Sequence, residues 1–257
     1  MLRKRVYPFS KKRAYKYSKP SPAIISKSYY RPTYIKTQRI HIETKSNDQP
    51  FNFSPTSTGV SGNLTGEFKL GESVLIHQLE RNNGSYGRVG NRVTLKNLFV
   101  NGQVQFNTNG GEAQKSPSLR VIFFIDKKPG DNPPSSSELL DLTGGPKNLT
   151  AVPDFYAYRN LPNVDRFRII MDKRLSWNPS SLSQGTSNLL VPPKDLSFKI
   201  ANNLKDYQAM YKEDDLLGTY DKMTQGAICM MVLSDVETLS FDTINVKGNS
   251  RLRYTDI

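Results

Sequence analysis

The sequence predicts an all-β protein, a jelly-roll sandwich of about eight strands behind a disordered basic N-terminal arm. Three observations carry that reading. Short runs rich in β-branched and aromatic residues recur along the chain, their connections are long and full of turn formers, and only one stretch has a helical pattern. Strands at this spacing with almost no helix between them argue for two packed antiparallel sheets and against an α/β enzyme.

The arm comes first. Twelve of the first 42 residues are Lys or Arg (Arg3, Lys4, Arg5, Lys11, Lys12, Arg13, Lys16, Lys19, Lys27, Arg31, Lys36 and Arg39), and none is Asp or Glu. The first fifty residues carry a balance of +11, and the remaining 207 only +2. Tyrosines and prolines interrupt residues 1–34, and no apolar stripe of helical or strand period is present. Such a segment cannot bury enough apolar surface to offset its backbone entropy, so disorder is expected until a polyanion neutralises it. Residues 1–34 are therefore read as an arm and residues 35–257 as one folded domain, long enough for a sizeable core.

The first strand is expected where Ile35, Ile40 and Ile42 begin to alternate, followed by a Ser/Thr/Gly/Asn loop over 54–66. Further strands are expected over 72–79, 92–106, 118–128, 165–177, 194–202, 227–235 and 250–257. In the run RVTLKNLFVNGQVQF the alternation breaks near Leu98 to Val100, which predicts a bulge or phase change there. Turn formers at 109–110, 129–134 and 144–146 separate the runs, and SSSELLDL (135–142) reads as a short helix with Ser caps.

Few residues are available for chemistry. The two histidines, His41 and His77, have no metal-ligand spacing and read as strand residues. Cys229, the single cysteine, lies inside AICMMVL and reads as a small buried apolar group, which also excludes a disulfide framework or thiolate zinc site. Glu213, Asp214 and Asp215 lack EF-hand spacing and read as a solvated loop, and GSYGRVG (84–90) lacks the Walker Lys-Ser/Thr and reads as a flexible loop leading into the strand at Arg92. No catalytic residue, metal site or cofactor is expected. With no 18-residue apolar run and no secretory signal, the chain is expected to be soluble and intracellular when made, and the sequons at Asn63, Asn83 and Asn148 to be chance matches.

The arm is the one pattern with a direct functional consequence. Lys and Arg release counterions from phosphates, and Tyr15, Tyr17, Tyr29 and Tyr30 offer faces on which unpaired bases can stack. The triplets Arg3-Lys4-Arg5 and Lys11-Lys12-Arg13 also fit nuclear import.

Five segments in order, RVGNRVTLKNLFVNGQVQF (88–106), SLRVIFFIDKKPGDNPPSSSELL (118–140), DRFRIIMDKRLSW (165–177), GAICMMVLSD (226–235) and SRLRYTDI (250–257), resemble capsid proteins of small circular Rep-encoding single-stranded DNA viruses, the geminiviruses among them. In that group a basic arm precedes a strand entered through Gly-Asn-Arg/Lys-Val, an apolar strand ends in Asp-Lys-x-Pro, and an Arg-x-Arg-aromatic strand closes the chain. The resemblance implies a jelly-roll subunit that self-assembles into an icosahedral-type shell, with its arm on viral single-stranded DNA. It implies as partners copies of itself and host nuclear import receptors but no membrane, and as locations the virion and, during assembly, the host nucleus. The alternative is a nuclear-shuttle-type protein, which resembles these capsid proteins in length and arm and binds the DNA without closing a shell. A replication initiator is excluded by the absence of paired-histidine nuclease and Walker motifs.

Overall fold

Alternation of apolar and polar side chains over 13 to 16 residues, repeated in four long strands, builds the larger of two sheets. In a computed structural model the described residues are 43–56, 59, 64–106, 118–141, 155–176, 196–235 and 244–256. They form β1 (Thr44–Thr56), β2 (Thr65–Lys69), β3 (Ser73–Leu75), β4 (Arg92–Phe106), β5 (Ser118–Asp126), α1 (Ser136–Leu139), β6 (Phe167–Ser176), β7 (Leu196–Tyr211), β8 (Met223–Gln225), β9 (Ala227–Ser234) and β10 (Ile244–Asp256). One sheet has the order β2-β1-β10-β4-β7-β8 and the other β3-β9-β5-β6.

That order defines the fold. Setting aside the short β2 and β8, the antiparallel pairs β1 with β10, β3 with β9, β4 with β7 and β5 with β6 are a hairpin of strands rolled up on itself, which is the jelly roll. It follows from the chain path that the β3–β4, β5–β6 and β7–β9 connections all lie at one end of the sandwich. Thr44, at the start of β1, and Asp256, at the end of β10, lie at that end too, since Asp256 pairs with Val93 and Thr44 with Thr255.

The core runs between the sheets. Phe68, Phe53, Phe51, Phe198 and Phe123 make successive ring contacts, Phe53 to Phe68 at 4.6 Å and Phe198 to Phe123 at 6.1 Å, so that one aromatic chain links the edge of the large sheet to the centre of the small one. All of β9 and all but the first residue of β5 are buried. These strands are apolar without alternation because both of their faces are covered, one by the large sheet and the other by the β5–β6 connection.

The arm of residues 1–34 with its tyrosines, all twelve basic residues from Arg3 to Arg39, and the strand expected around Ile35 to Ile42 lie outside the described residues. Several other elements differ from expectation. A strand does form over 44–56, and β2 begins at Thr65, where a loop is expected over 54–66. β1 holds two prolines and few apolar residues. The N–H of Asn52 points away from β10 to the carbonyl of Leu64, and Pro50, two residues earlier, shares that direction, so its missing donor breaks no bond to β10.

The phase change in β4 falls at Lys96 instead of 98–100. Leu95 faces Tyr207 and Asn97 faces Asn203, leaving Lys96 opposite three residues of β7, of which Lys205 and Asp206 take left-handed φ values of 56° and 57°. Lys96 pairs with Asp206 at 2.7 Å across the bulge. Phe99 consequently points outward. β7 continues to Tyr211, well past the expected end, because the bulge resets its alternation. β3 is only three residues long, since the chain leaves the small sheet at Ile76 and His77 reaches the opposite sheet. The expected helix over 135–142 is the single turn α1, where the Glu138 carboxylate accepts from the Ser135 N–H at 3.0 Å.

Candidate assembly and nucleic-acid surfaces

Two clusters of exposed apolar side chains are held out by the connections, the first at the end of the sandwich that carries Thr44 and the second over the outer side of the small sheet, from above Arg120 back toward Asp126. The first is Tyr86 and Val89 of the β3–β4 connection with Leu216 and Leu217 of the β7–β8 connection. The second is Tyr156, Tyr158, Leu161 and Val164 of the β5–β6 connection, Tyr158 being 86% exposed. Each is displayed by buried charge.

Arg88 organises the first. Its guanidinium, 0% exposed, donates to the carbonyls of Leu79 at 3.0 Å, Gly90 at 2.8 Å and Asp215 at 2.7 Å, and to the Asp215 carboxylate at 2.8 Å. The ring of Tyr211 lies 4.1 Å below it. Asp215 is completed by the N–H groups of Leu217 and Gly218. Two connections from different parts of the chain are thereby fixed together. Lys45 adds a third strand, donating to the Gly87 carbonyl at 3.0 Å and to Asp256 at 3.1 Å, while Asp256 accepts from the Val89 N–H at 2.7 Å. Lys45, the second residue of β1, is thus anchored beside this cluster. Asp215 corrects the reading of residues 213–215 as a solvated loop: Glu213 and Asp214 are exposed, but Asp215 is buried because Arg88 needs a counter-charge. Residues 84–90 correct their reading as a flexible loop in the same way, being pinned through Arg88 and the Gly87 carbonyl.

The second cluster rests on Arg120 and Asp126. Arg120 donates to the carbonyls of Phe155 at 3.0 Å and Ala157 at 2.8 Å and pairs with Asp172 at 2.7 Å, so residues 155 and 157 face in and Tyr156 and Tyr158 face out. The hydrogen bond from Arg120 holds the Asp172 carboxyl below its usual pKa. Asp126, fully buried at the end of β5, accepts from Tyr220 at 2.6 Å and Arg166 at 2.8 Å, and Arg166 also reaches Glu138. These four groups tie α1 and the return into β6 to the sheet.

The outward face of the large sheet is different in kind. Its central strands β1, β10, β4 and β7 present rows in register: Asp48, Arg251, Phe99 and Ala201; Pro50, Asn249, Asn101 and Lys199; Asn52, Lys247, Gln103 and Ser197; Ser46, Arg253, Asn97 and Asn203. Four cations and many amides are set against one carboxylate, Asp48, whose pKa is lowered by its hydrogen bond from Arg251 at 2.7 Å. Sequence reasoning missed this face because the domain as a whole is nearly neutral.

The described histidine and cysteine are both buried. His77 is buried with Nδ1 2.9 Å from Asn47 and Nε2 2.7 Å from Ser250, and burial lowers its pKa to about 3. Cys229 is buried in β9, and burial pushes its thiol well up. His41 lies outside the described residues. Among the described residues no group of three or more His, Cys, Asp or Glu side chains is placed to hold a metal ion, and no helix is long and apolar enough to cross a membrane.

No protein-family model and no curated protein matches the chain. Among solved structures it is similar to a chain of Desmodium yellow mottle tymovirus, with 11% identity and a TM-score of 0.26 over 100% of this chain and 98% of that one. It is also similar to VP2 of the infectious bursal disease virus subviral particle, with 10% identity and a TM-score of 0.23 over 92% of this chain and 38% of that one. At these values the likeness adds nothing to the strand order, which defines the all-β jelly roll by itself.

Proposed function

We propose that this chain is a viral capsid protein that self-assembles into a closed, icosahedral-type shell and packages single-stranded circular DNA through its basic N-terminal arm. It is a structural protein with no catalytic role, of the kind carried by small circular Rep-encoding DNA viruses. The observation that carries the reading is the pair of apolar clusters that the connections hold out from the sandwich. Singly exposed apolar residues are ordinary, but several together on segments pinned by buried ion pairs mark a contact surface. Cys229 and His77 are both buried, the thiol within β9 and the imidazole between Asn47 and Ser250.

The charge distribution supports the second half of the reading. Residues 1–34 act as the DNA-binding and nuclear-import arm and residues 35–257 as the shell-forming domain, so that a shell of many copies sets many basic arms on one enclosed polyanion. Contacts of this sort neutralise phosphates without reading sequence. Nuclear import through Arg3-Lys4-Arg5 and Lys11-Lys12-Arg13 supplies the route to the host nucleus, where the DNA is enclosed.

The test is sedimentation of full-length protein carrying Leu216→Ser with Leu217→Ser, or Tyr158→Ser with Leu161→Ser. All four side chains are exposed, so melting temperatures should stay near that of the parent while large assemblies give way to small species. Assemblies that persist unchanged in both variants would show that neither cluster is a subunit contact.

A further inference from the structure

We infer that the outward face of the six-stranded sheet is a second binding surface for single-stranded nucleic acid, separate from the arm and independent of shell formation, with the Phe99 ring as its stacking platform. Phe99 is 37% exposed at the centre of the sheet, where a side chain of this size would ordinarily be turned inward. The bulge at Lys96 is what turns it out. Arg253 lies 5.5 Å from the ring centroid, and the cross-strand neighbour on the other side is Ala201, too small to cover the ring. One face of the ring therefore has a cation over it that can meet a phosphate, and the side toward Ala201 has room for a base. Antiparallel sheet faces carrying exposed aromatics bind unpaired bases in this manner, and a duplex, whose bases are already stacked, offers no free face.

Charge selects the occupant. Lys199 and Lys247 flank the amide of Asn101 one and two rows from Phe99, and with Arg251 and Arg253 they outnumber Asp48 four to one. A second copy of this face would bring like charges into register, which opposes pairing. The chain's own first 42 residues carry the same sign of charge and fit no better. The exposed amides between the cations can donate to and accept from base edges, which a purely phosphate-binding stripe does not provide.

The experiment uses full-length protein and a 20-nucleotide oligothymidylate, with binding measured by fluorescence anisotropy across a salt series and contacts mapped by ultraviolet cross-linking and mass spectrometry. Phe99→Ala should lower affinity about 5- to 150-fold, the range of one stacked base, with the salt slope unchanged. Changing Lys199, Lys247 and Arg253 together to Gln should reduce the slope by about 2, from roughly 0.7 per phosphate contact. A cross-linked nucleotide should map to Phe99. The same substitutions in a chain whose twelve cations from Arg3 to Arg39 are changed to Gln separate the two surfaces: residual binding that Phe99→Ala removes belongs to the face, whereas its absence assigns all affinity to the N-terminal segment and overturns the inference. Parent-like binding by both face variants, or an altered sedimentation coefficient without nucleic acid, would overturn it as well, the latter by making the face a contact between copies.

Discussion

Arg88 and Asp215, 127 positions apart, form an ion pair of 2.8 Å with both side chains out of reach of solvent. The guanidinium spends its remaining donors on three backbone carbonyls, so the pair fixes the relative position of Tyr86 and Val89 on one connection and Leu216 and Leu217 on another. A buried pair of this kind adds little net stability over an apolar substitute, but removing one member leaves an uncompensated charge. Arg88→Ala is expected to cost about 3–5 kcal/mol in urea unfolding. Arg88→Lys recovers little, because an ammonium cannot reach four acceptors arranged around a planar fork. If either variant unfolds like the parent, the clamp does not organise this end of the sandwich.

Gly102 and Gly248 face each other across β4 and β10, both pointing inward, and the volume their side chains would occupy is taken by Phe198 and Phe51. Those two rings stack with centroids 6.4 Å apart and planes 17° from parallel. A methyl at position 248 would lie 2.5 Å from the Asn101 carbonyl oxygen and 2.5 Å from the Phe51 ring. Gly248→Ala should therefore destabilise the protein by about 1–3 kcal/mol, the usual cost of overpacking. Gly102→Ala, whose nearest contacts are with the tip of the Phe198 ring, should cost less. The reverse order in thermal denaturation would contradict the packing described.

His77 gives a pH dependence with a defined sign. Burial keeps the folded imidazole neutral, with its pKa lowered from 6.5 to about 3, whereas the unfolded chain binds the proton from about pH 6.5 downward. The stability due to neutral His77 is fully present above pH 6.5 and is lost as the pH falls toward 3, roughly 2 kcal/mol of it by pH 5. His77→Gln should be less stable at pH 7, having lost the fit to Asn47 and Ser250, but the gap to the parent should narrow as the pH drops to 5. A constant gap between pH 7 and pH 5 would show that His77 accepts a proton in the fold.

The strands most legible in the sequence are β5 and β9, because burial on both faces leaves no polar position to interrupt the run. β1 was hidden for the opposite reason: over TKSNDQPFNFSPT only Phe51 and Phe53 are large and apolar, and two prolines argue against a strand unless its neighbours are known. Phe99 misled the reading of β4, since an outward aromatic at a bulge mimics the inward alternation on its other side. Beneath the two clusters, Arg88, Arg120, Asp126 and Asp215 are charged residues, a type that is ordinarily exposed. Each is buried because a partner arrives from tens of residues away, and no local pattern encodes that meeting. The arm is the reverse case: its charge is fully legible, and its placement lies outside the described residues.

The central claim is that this chain builds a shell around single-stranded DNA. The direct test is to mix full-length protein with circular single-stranded DNA, image the product by negative-stain electron microscopy, and treat it with nuclease before extracting the DNA. Closed particles of uniform size containing nuclease-resistant DNA are the predicted result. Small monodisperse complexes whose DNA is fully digested would contradict it and assign the chain to carriage of DNA without enclosure.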